Sequence, residues 1–398
     1  MKVMHIVGAR PNFMKIAPII VQMRKWPETF EQVLVHTGQH YDDNMSAAFF
    51  QDLELPRPDV YLGVGSGTHS GQTGRTLIAL EPEMVRYAPD LVVVGGDVNS
   101  TLATALVCAK LGIRLAHIEA GLRSFDRSMP EEVNRIVTDQ LSDFLFTTEA
   151  SAERNLLHEG VDPKKIHFVG NVMIDSLVNA LPKAKRSKVL AKLGLRRGEY
   201  GVVTLHRPSN VDDPDVLDEI LAALEALSGS IGIIFPVHPR TRRQLDSRSR
   251  STSKLQLIEP LGYLDFLKLT SNARFVLTDS GGLQEETTYL EIPCMTLRAN
   301  TERPVTIEMG TNRLVPLRAT DIERCARRVL GERTRIAKRS KPPLWDGRAA
   351  RRIVEVLRSV AVPDATSRRR GSRRSPRSHF VAASEASPGF QNARVVKK

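Results

Sequence analysis

Residues 275–293 read FVLTDSGGLQEETTYLEIP: an apolar, strand-like run that ends in Ser-Gly-Gly and opens a helix with Gln-Glu-Glu. A strand that passes through two adjacent glycines into a helix leaves bare backbone N–H groups at the positive end of the helix dipole, which makes a seat for phosphate. Glu285 and Glu286 follow within a turn and suit sugar hydroxyls, as an acidic residue does for ribose in dinucleotide folds. The alternative is structural: the glycines make a tight turn and the acids complement the helix dipole. The stretch by itself leaves both readings open.

Outward from it, short β-branched runs alternate with helical patterns, the signature of doubly wound parallel sheets. Candidate strands fall at 2–7, 32–36, 91–94, 115–118, 144–147 and 167–169. The pattern restarts near Gly170-Asn171. After a Lys-rich helical connector at 183–195, a second series runs through 201–205, 232–237, 255–258, 275–278 and 293–297. The spacing predicts an α/β fold of two Rossmann-like domains, residues 1–170 and 171–345, with a cleft between them. A last helix at 348–359 is expected to cross back to the first domain. A chain of 398 residues exceeds one ordinary domain, in keeping with this division.

Hydrophobic residues make up 41% of the chain, enough for real cores, and no run approaches the ~20 apolar residues of a membrane-spanning helix. Met1-Lys2 leads into a strand-like run, so the expectation is a cytoplasmic protein without a membrane partner. Cys108, Cys294 and Cys325 stand apart, without the paired spacing of a zinc site or a disulfide framework, and read as packing residues. The net charge of +12 suggests nucleic acid until it is located. Residues 363–398 hold nine of the Arg and Lys residues against Asp364 and Glu385. This Ser/Arg-rich tail reads as disordered, and any nucleic acid or acidic partner would be held through it by charge alone.

Ligands of open α/β sheets bind beyond the carboxyl ends of the strands, so the polar residues there are read together. VGARPNFMK brings Arg10 and Lys15 to a helix start, where two cations oppose the dipole unless an anion lies between them. LVVVGGDVNST places Asp97 at a rim, LAHIEAGLRS places Glu119, and SMPEEVNRI adds Glu131 with Arg135 four residues on, a spacing equally suited to an ordinary helix pair. From the second series come His206 and Arg207 in TLHRPSN, His238 and Arg240 in PVHPRT, and Ser280 in the opening stretch. One side of such a crevice suits phosphate and the other carries groups that move protons.

Nine blocks in order, GARPNFMK, HTGQHYDDNMS, GDVNSTLA, HIEAGLRSFDRSMPEEVNRI, VGNVMIDSL, TLHRPSNVD, PVHPRT, LTDSGGLQEE and NTERPVTIEMGTN, resemble the non-hydrolysing UDP-N-acetylglucosamine 2-epimerases. The resemblance implies a GT-B-like fold with a UDP-sugar in the interdomain cleft, a homodimer, no cofactor, no metal, and exchange of UDP-GlcNAc with UDP-ManNAc for surface polysaccharides. Carried over by position, it assigns Arg10, Ser280, Gly281 and Gly282 to the diphosphate and Glu286 to the ribose. It makes Asp97, Glu119, Glu131 and His206 the catalytic groups, with Lys15, Arg135 and Arg207 as further cleft residues. GDVNST stands where the family commonly has GDTNST, TERPV where it has TERPE, and Ser66-Gly67 where many bacterial members carry an Arg-Gln pair for an activating second UDP-GlcNAc. The GARPNF and HTGQHYD spellings are similar to relatives acting on UDP-2,3-diacetamido-glucuronic acid. A GT-B glycosyltransferase and a hydrolysing epimerase are the rival readings.

Overall fold

The computed structural model describes residues 1–38, 56–237, 241–242, 245, 254–331 and 341–361. The basic tail, the HTGQHYDDNMS block from Gln39 onward, His238 and Arg240 lie outside them, and Arg10 is described only as the first residue of its helix. The first half builds a seven-stranded parallel sheet from β1 (Lys2–Val7), β2 (Glu31–His36), β3 (Val60–Tyr61), β4 (Leu91–Gly95), β5 (Arg114–Ala120), β6 (Phe144–Thr147) and β7 (Ile166–Phe168), in the order β3-β2-β1-β4-β5-β6-β7. The second half builds a six-stranded parallel sheet from β8 (Tyr200–Thr204), β9 (Gly232–Pro236), β10 (Leu255–Ile258), β11 (Phe275–Thr278), β12 (Cys294–Thr296) and β13 (Asn312–Leu314), in the order β10-β9-β8-β11-β12-β13.

The central strands are apolar along their whole length, as parallel strands covered by helices on both faces must be: all five residues of β4 are buried. The two-residue β3 and the three-residue β13 escape the sequence pattern because such short edges carry no period. The helical connector also differs from expectation. The regular helix is Val172–Ala184, started by Asn171, whose side-chain oxygen accepts from the Met173 N–H at 2.8 Å, and only one turn, Val189–Lys192, follows it. Its apolar run VMIDSLVNAL buries against helix Arg10–Met23 and against helices Tyr263–Ser271 and Gly281–Leu290 of the second half.

The last helix, Ala349–Ala361, packs on Arg10–Met23 through Ile353, Val354 and Leu357. Asp175 fastens it, accepting from the Ala349 and Ala350 N–H groups at 3.0 and 2.8 Å. Burial pushes the Asp175 carboxyl up to about 6 even so. Cys108 and Cys294 are buried and Cys325 is half-buried. Among the described residues no helix is long and apolar enough to cross a membrane.

Candidate active site

Strand β11 ends at Thr278, and the helix Gly281–Leu290 starts three residues later with Ser280 as its N-cap. The Ser280 side chain makes no capping hydrogen bond, so the first turn keeps its N–H groups for another acceptor. A cavity of about 370 Å³ opens in front of it, lined by Ser280, Gly282, Glu286 and His206 of the second half and by Pro11 and Lys15 of the first. Neither Gly281 nor Gly282 has a positive φ, so backbone conformation does not explain the pair.

Space does. A methyl group at Gly281 would lie 2.6 Å from Arg303 Nη1, whereas at Gly282 its nearest neighbour would be Met173 Cε at 3.7 Å. Gly281→Ala is therefore expected to destabilise the fold by about 1–3 kcal/mol through overpacking. Gly282→Ala should leave thermal stability nearly unchanged and weaken UDP by roughly tenfold or more, since an added methyl stands where the phosphate meets the backbone. Thermal melts and UDP titrations on both variants check this; a Gly282→Ala protein that binds UDP normally sinks the phosphate seat.

Glu286 is buried and accepts from the Tyr263 hydroxyl at 3.1 Å, so one of its oxygens also serves the fold. The carboxylate of Glu119 sits at the carboxyl end of β5, where the register with β6 shifts between Ile118 and Ala120 and Glu119 itself takes φ +72°. Such a left-handed glutamate within a strand is strained, and the bulge re-aims its side chain. Lys15 Nζ meets Glu119 Oε1 at 2.8 Å, both groups buried. The Lys15 charge expected to bracket an anion with Arg10 thus engages Glu119, although the side chain still lines the cavity.

Arg135 does not pair with Glu131. It donates to Glu132 Oε2 at 2.6 Å and makes a very short contact with Asp97 Oδ2. Glu132 is tied further to the N–H groups of Ser124 and Phe125, both at 2.9 Å. One residue is 100° around a helix, so Glu132 faces into the loop and leaves Glu131 half-buried beside it. The Arg207 guanidinium is held below its ordinary range by burial and by Arg298, against the pull of Glu302, Asp279 and Glu131.

His206, 59% exposed at its side chain, lines the cavity with Nδ1 2.7 Å from Oδ1 of Asp279, which is wholly buried. Strands β8 and β11 are neighbours with Thr204 opposite Thr278, so the residues just beyond them meet. The other Asp279 oxygen accepts from the N–H groups of His206 and Arg207 at 3.0 and 2.9 Å and from Asn210 Nδ2 at 3.3 Å. Burial alone would raise the Asp279 carboxyl; the bonds and charge of His206 outweigh it and hold the group below its ordinary range.

A parallel two-sheet chain with a phosphate-type helix start facing carboxylates and an imidazole narrows the family, and comparison with known proteins fixes it. The model of the UDP-N-acetylglucosamine 2-epimerases matches residues 23–358. The chain belongs to the UDP-N-acetylglucosamine 2-epimerase family. This epimerase-family chain is 42% identical over 367 residues to the UDP-N-acetylglucosamine 2-epimerase of Methanocaldococcus jannaschii, covering 90% of this chain and 99% of the relative. It is 43% identical over 335 residues to the UDP-2,3-diacetamido-2,3-dideoxy-D-glucuronate 2-epimerase of Pseudomonas aeruginosa, covering 83% and 93%. The crystal structure of the M. jannaschii enzyme in complex with UDP-GlcNAc and UDP superposes with a TM-score of 0.82 over 90% of this chain and 99% of that one.

In this family member the cavity gathers Lys15, His206, Ser280, Gly282 and Glu286, with Glu119 behind Lys15. Gly281 faces Arg303, and Asp97, Glu131 and Arg135 stand apart from the cavity lining, around the start of helix Pro130–Leu141. Sequence reasoning passed over three groups that the structure makes central: Asp279, Glu132 and Arg303. Asp279 lies inside the opening stretch, directly after its strand, where a carboxylate reads as a turn residue.

Proposed function

We propose that this family member epimerises UDP-GlcNAc at C2, giving UDP-ManNAc, in the cytoplasm and as a precursor step for surface polysaccharide. The observation that carries the reading is the cavity that brings an uncapped, glycine-opened helix start together with an aspartate-held histidine and with Lys15, whose amine pairs with the strained Glu119. The C2 proton is too weakly acidic for removal in a simple step. In the elimination, a base takes that proton, the C–H pair becomes the C1–C2 double bond, and the C1–O bond breaks to release UDP, leaving 2-acetamidoglucal. UDP then re-adds through a phosphate oxygen at C1 while a proton reaches C2 from the opposite face.

Asp97, Glu119 and Glu131 are the carboxylates proposed for the two faces, and His206 the imidazole that exchanges a proton near the leaving group. Arg10, Arg207 and the N–H groups of residues 280–282 stabilise the charge that grows on the departing phosphate. Lys15 orders Glu119, Arg135 orders Asp97, and Glu286 takes the ribose hydroxyls. Closure of the two halves, residues 1–170 and 171–345, brings these sets together on the nucleotide. A homodimer through helix His69–Tyr87 is part of the proposal, since Ile78 and Val85 lie on its outer face 75% and 65% exposed.

The test is incubation with UDP-GlcNAc in deuterium oxide followed by proton NMR. Deuterium at C2 with UDP-ManNAc formed is expected, free ManNAc points to a hydrolase, and an unchanged spectrum overturns the reading for this substrate. The 43% identity to the P. aeruginosa enzyme supports a second reading in which the sugar is UDP-2,3-diacetamido-glucuronic acid, and the same spectrum recorded with that substrate decides between them.

A further inference from the structure

At the floor of the cleft one guanidinium meets three carboxylates. Arg303 Nε donates to Glu285 Oε1 at 2.7 Å, Nη2 donates to Glu119 Oε1 at 3.1 Å, and Nη1 donates to Glu302 through a very short bond. All four side chains are buried. Glu285 and Glu302 belong to the second half, with Arg303, whereas Glu119 stands at the end of β5 in the first. The space for the guanidinium is made by Gly281, the first glycine of the phosphate-type helix start, where a side chain would strike Nη1.

We infer that Arg303 is a positioning residue for the reaction at C2: reaching across the cleft floor, its fork fixes Glu119 of the first half, so that this carboxylate is set for proton transfer only when the halves are closed. The inference rests on the epimerase reading, in which Glu119 handles a proton of the sugar.

Glu119 has one cation of its own half, Lys15, on the same oxygen that Arg303 reaches. Its backbone is left-handed and strained, so the side chain keeps its direction only while its partners hold it. An open cleft leaves Lys15 alone, a single point charge on a flexible stem. The planar guanidinium adds a second, directional donor, itself locked by two carboxylates behind it.

The surrounding charges nearly balance. Lys15, Arg298 and Arg303 face Glu119, Glu285 and Glu302, with Arg298 Nη2 2.8 Å from Glu302 Oε2. Glu149, at the end of β6, is the further carboxylate, close enough to feel Glu285 and Arg303 and bonded to the Val305 N–H of the second half. Arg135 and Arg207 act on Glu302 from outside. The directions agree with a cluster organised by Arg303. Burial would raise Glu302, but Arg303 and Arg298 hold it well below the carboxylate range. Burial pushes Glu285 up and Glu119 adds to this, while Arg303 and Lys15 pull it down. Burial pushes Glu149 up to about 7.

The experiment measures C2 exchange of UDP-GlcNAc in deuterium oxide from pH 5 to 9, with UDP affinity by calorimetry, for the full chain and for Arg303→Lys, Arg303→Met and Glu302→Gln. In Arg303→Lys the charge stays and the fork is lost. Its kcat should fall by roughly thirtyfold or more with KM and UDP affinity within about threefold, the signature of an interaction used in the transition state rather than in binding. In Arg303→Met a cation is also lost, so the remaining carboxylates protonate more readily and the acidic limb of the kcat profile should move to higher pH. Glu302→Gln removes an anion and should move it to lower pH.

These opposite shifts are not expected of a residue that merely supports the fold, and the Lys and Gln variants keep the test alive if the Met variant fails to fold. A kcat within threefold in Arg303→Lys overturns the inference. A UDP affinity that falls as far as kcat also overturns it and makes Arg303 a diphosphate ligand. If the unaltered protein exchanges no C2 hydrogen, the epimerase reading itself falls and takes this inference with it, an outcome distinct from normal exchange that resists substitution at Arg303.

Discussion

Asp279→Asn lowers kcat by on the order of a hundredfold or more while UDP affinity and the folded state persist, because it removes the orientation of the cleft imidazole rather than a contact with the nucleotide. The geometry dictates how the new amide sits. Three donors, the N–H groups of His206 and Arg207 and the Asn210 side chain, converge on Asp279 Oδ2, so the amide oxygen must face them. The amide NH2 is then left against His206 Nδ1, where the carboxylate oxygen now lies at 2.7 Å. A donor opposite Nδ1 forces the proton onto Nε2, the nitrogen turned away from Asp279. The variant therefore presents a fixed donor where the native ring presents an acceptor.

Kinetics from pH 5 to 9 and nitrogen-15 spectra of the His206 ring check both statements. There is a stability corollary with a definite sign. Asp279 is held below its unfolded value, so it adds stability above about pH 4 that is lost as the pH falls through its folded value; in Asp279→Asn that acid-side loss is absent. Unchanged turnover, or UDP affinity falling in step with turnover, would reduce Asp279 to a staple of its loop.

Why Asp279 could not be read from the sequence is the same reason Arg303 and Glu132 could not. Central strands announce themselves because burial on both faces demands uninterrupted apolar runs, and Lys2–Val7 and Phe275–Thr278 among them, like Phe144–Thr147 and the edge strand Leu255–Ile258, begin and end where the pattern places them. From strand ends alone, Lys15, Glu119, His206 and Ser280 could be assigned to one crevice, since strand termini in parallel sheets face one way.

What holds each of these side chains is set by register between strands distant in sequence. Asp279 reaches His206 because β8 and β11 are neighbours, and Arg303 reaches Glu119 across 184 positions from an irregular segment after β12. No period marks such residues. The i,i+4 spacing of Glu131 to Arg135 suits a helix pair, whereas Arg135 meets Glu132, a single helical step on. The glycines of the opening stretch were read as freeing backbone for phosphate. Gly282 keeps that reading as a proposal, while Gly281 gives room to the Arg303 guanidinium, a cause visible only in three dimensions.

The same lesson yields the largest expected loss of stability, at a residue with no place in the chemistry. Asp139, on helix Pro130–Leu141, is wholly buried behind the Glu119 bulge. Oδ1 accepts from His117 Nδ1 at 2.7 Å; Oδ2 accepts from the Gly121 N–H at 3.0 Å and pairs with Arg123 Nη2 at 2.8 Å. The His117 ring also meets the Gly96 carbonyl at 2.8 Å through Nε2. Asp139 thus pins residues on either side of Glu119, and this grip keeps the strained φ of +72° in place. Burial would raise the Asp139 carboxyl, but His117 and Arg123 hold it below its ordinary range.

An asparagine offers one acceptor oxygen where the carboxylate offers two, and its NH2 group must face either His117 Nδ1 or the Gly121 N–H and Arg123 together. Arg123 loses the charge of Asp139 and keeps Glu159 and the Leu122 carbonyl, and removing one partner of a buried ion pair costs roughly 3–5 kcal/mol. Asp139→Asn should therefore lower unfolding stability by about 3 kcal/mol at pH 7, with the difference shrinking at acid pH as the native carboxyl itself protonates. Turnover should fall as well, because a relaxed bulge turns Glu119 away from Lys15 and Arg303. Urea unfolding at pH 7 and pH 4 with C2 exchange at pH 7 reads both. A variant within 1 kcal/mol of the unaltered protein, or one that loses stability while exchanging C2 hydrogen at the native rate, shows that the bulge holds Glu119 without help from Asp139.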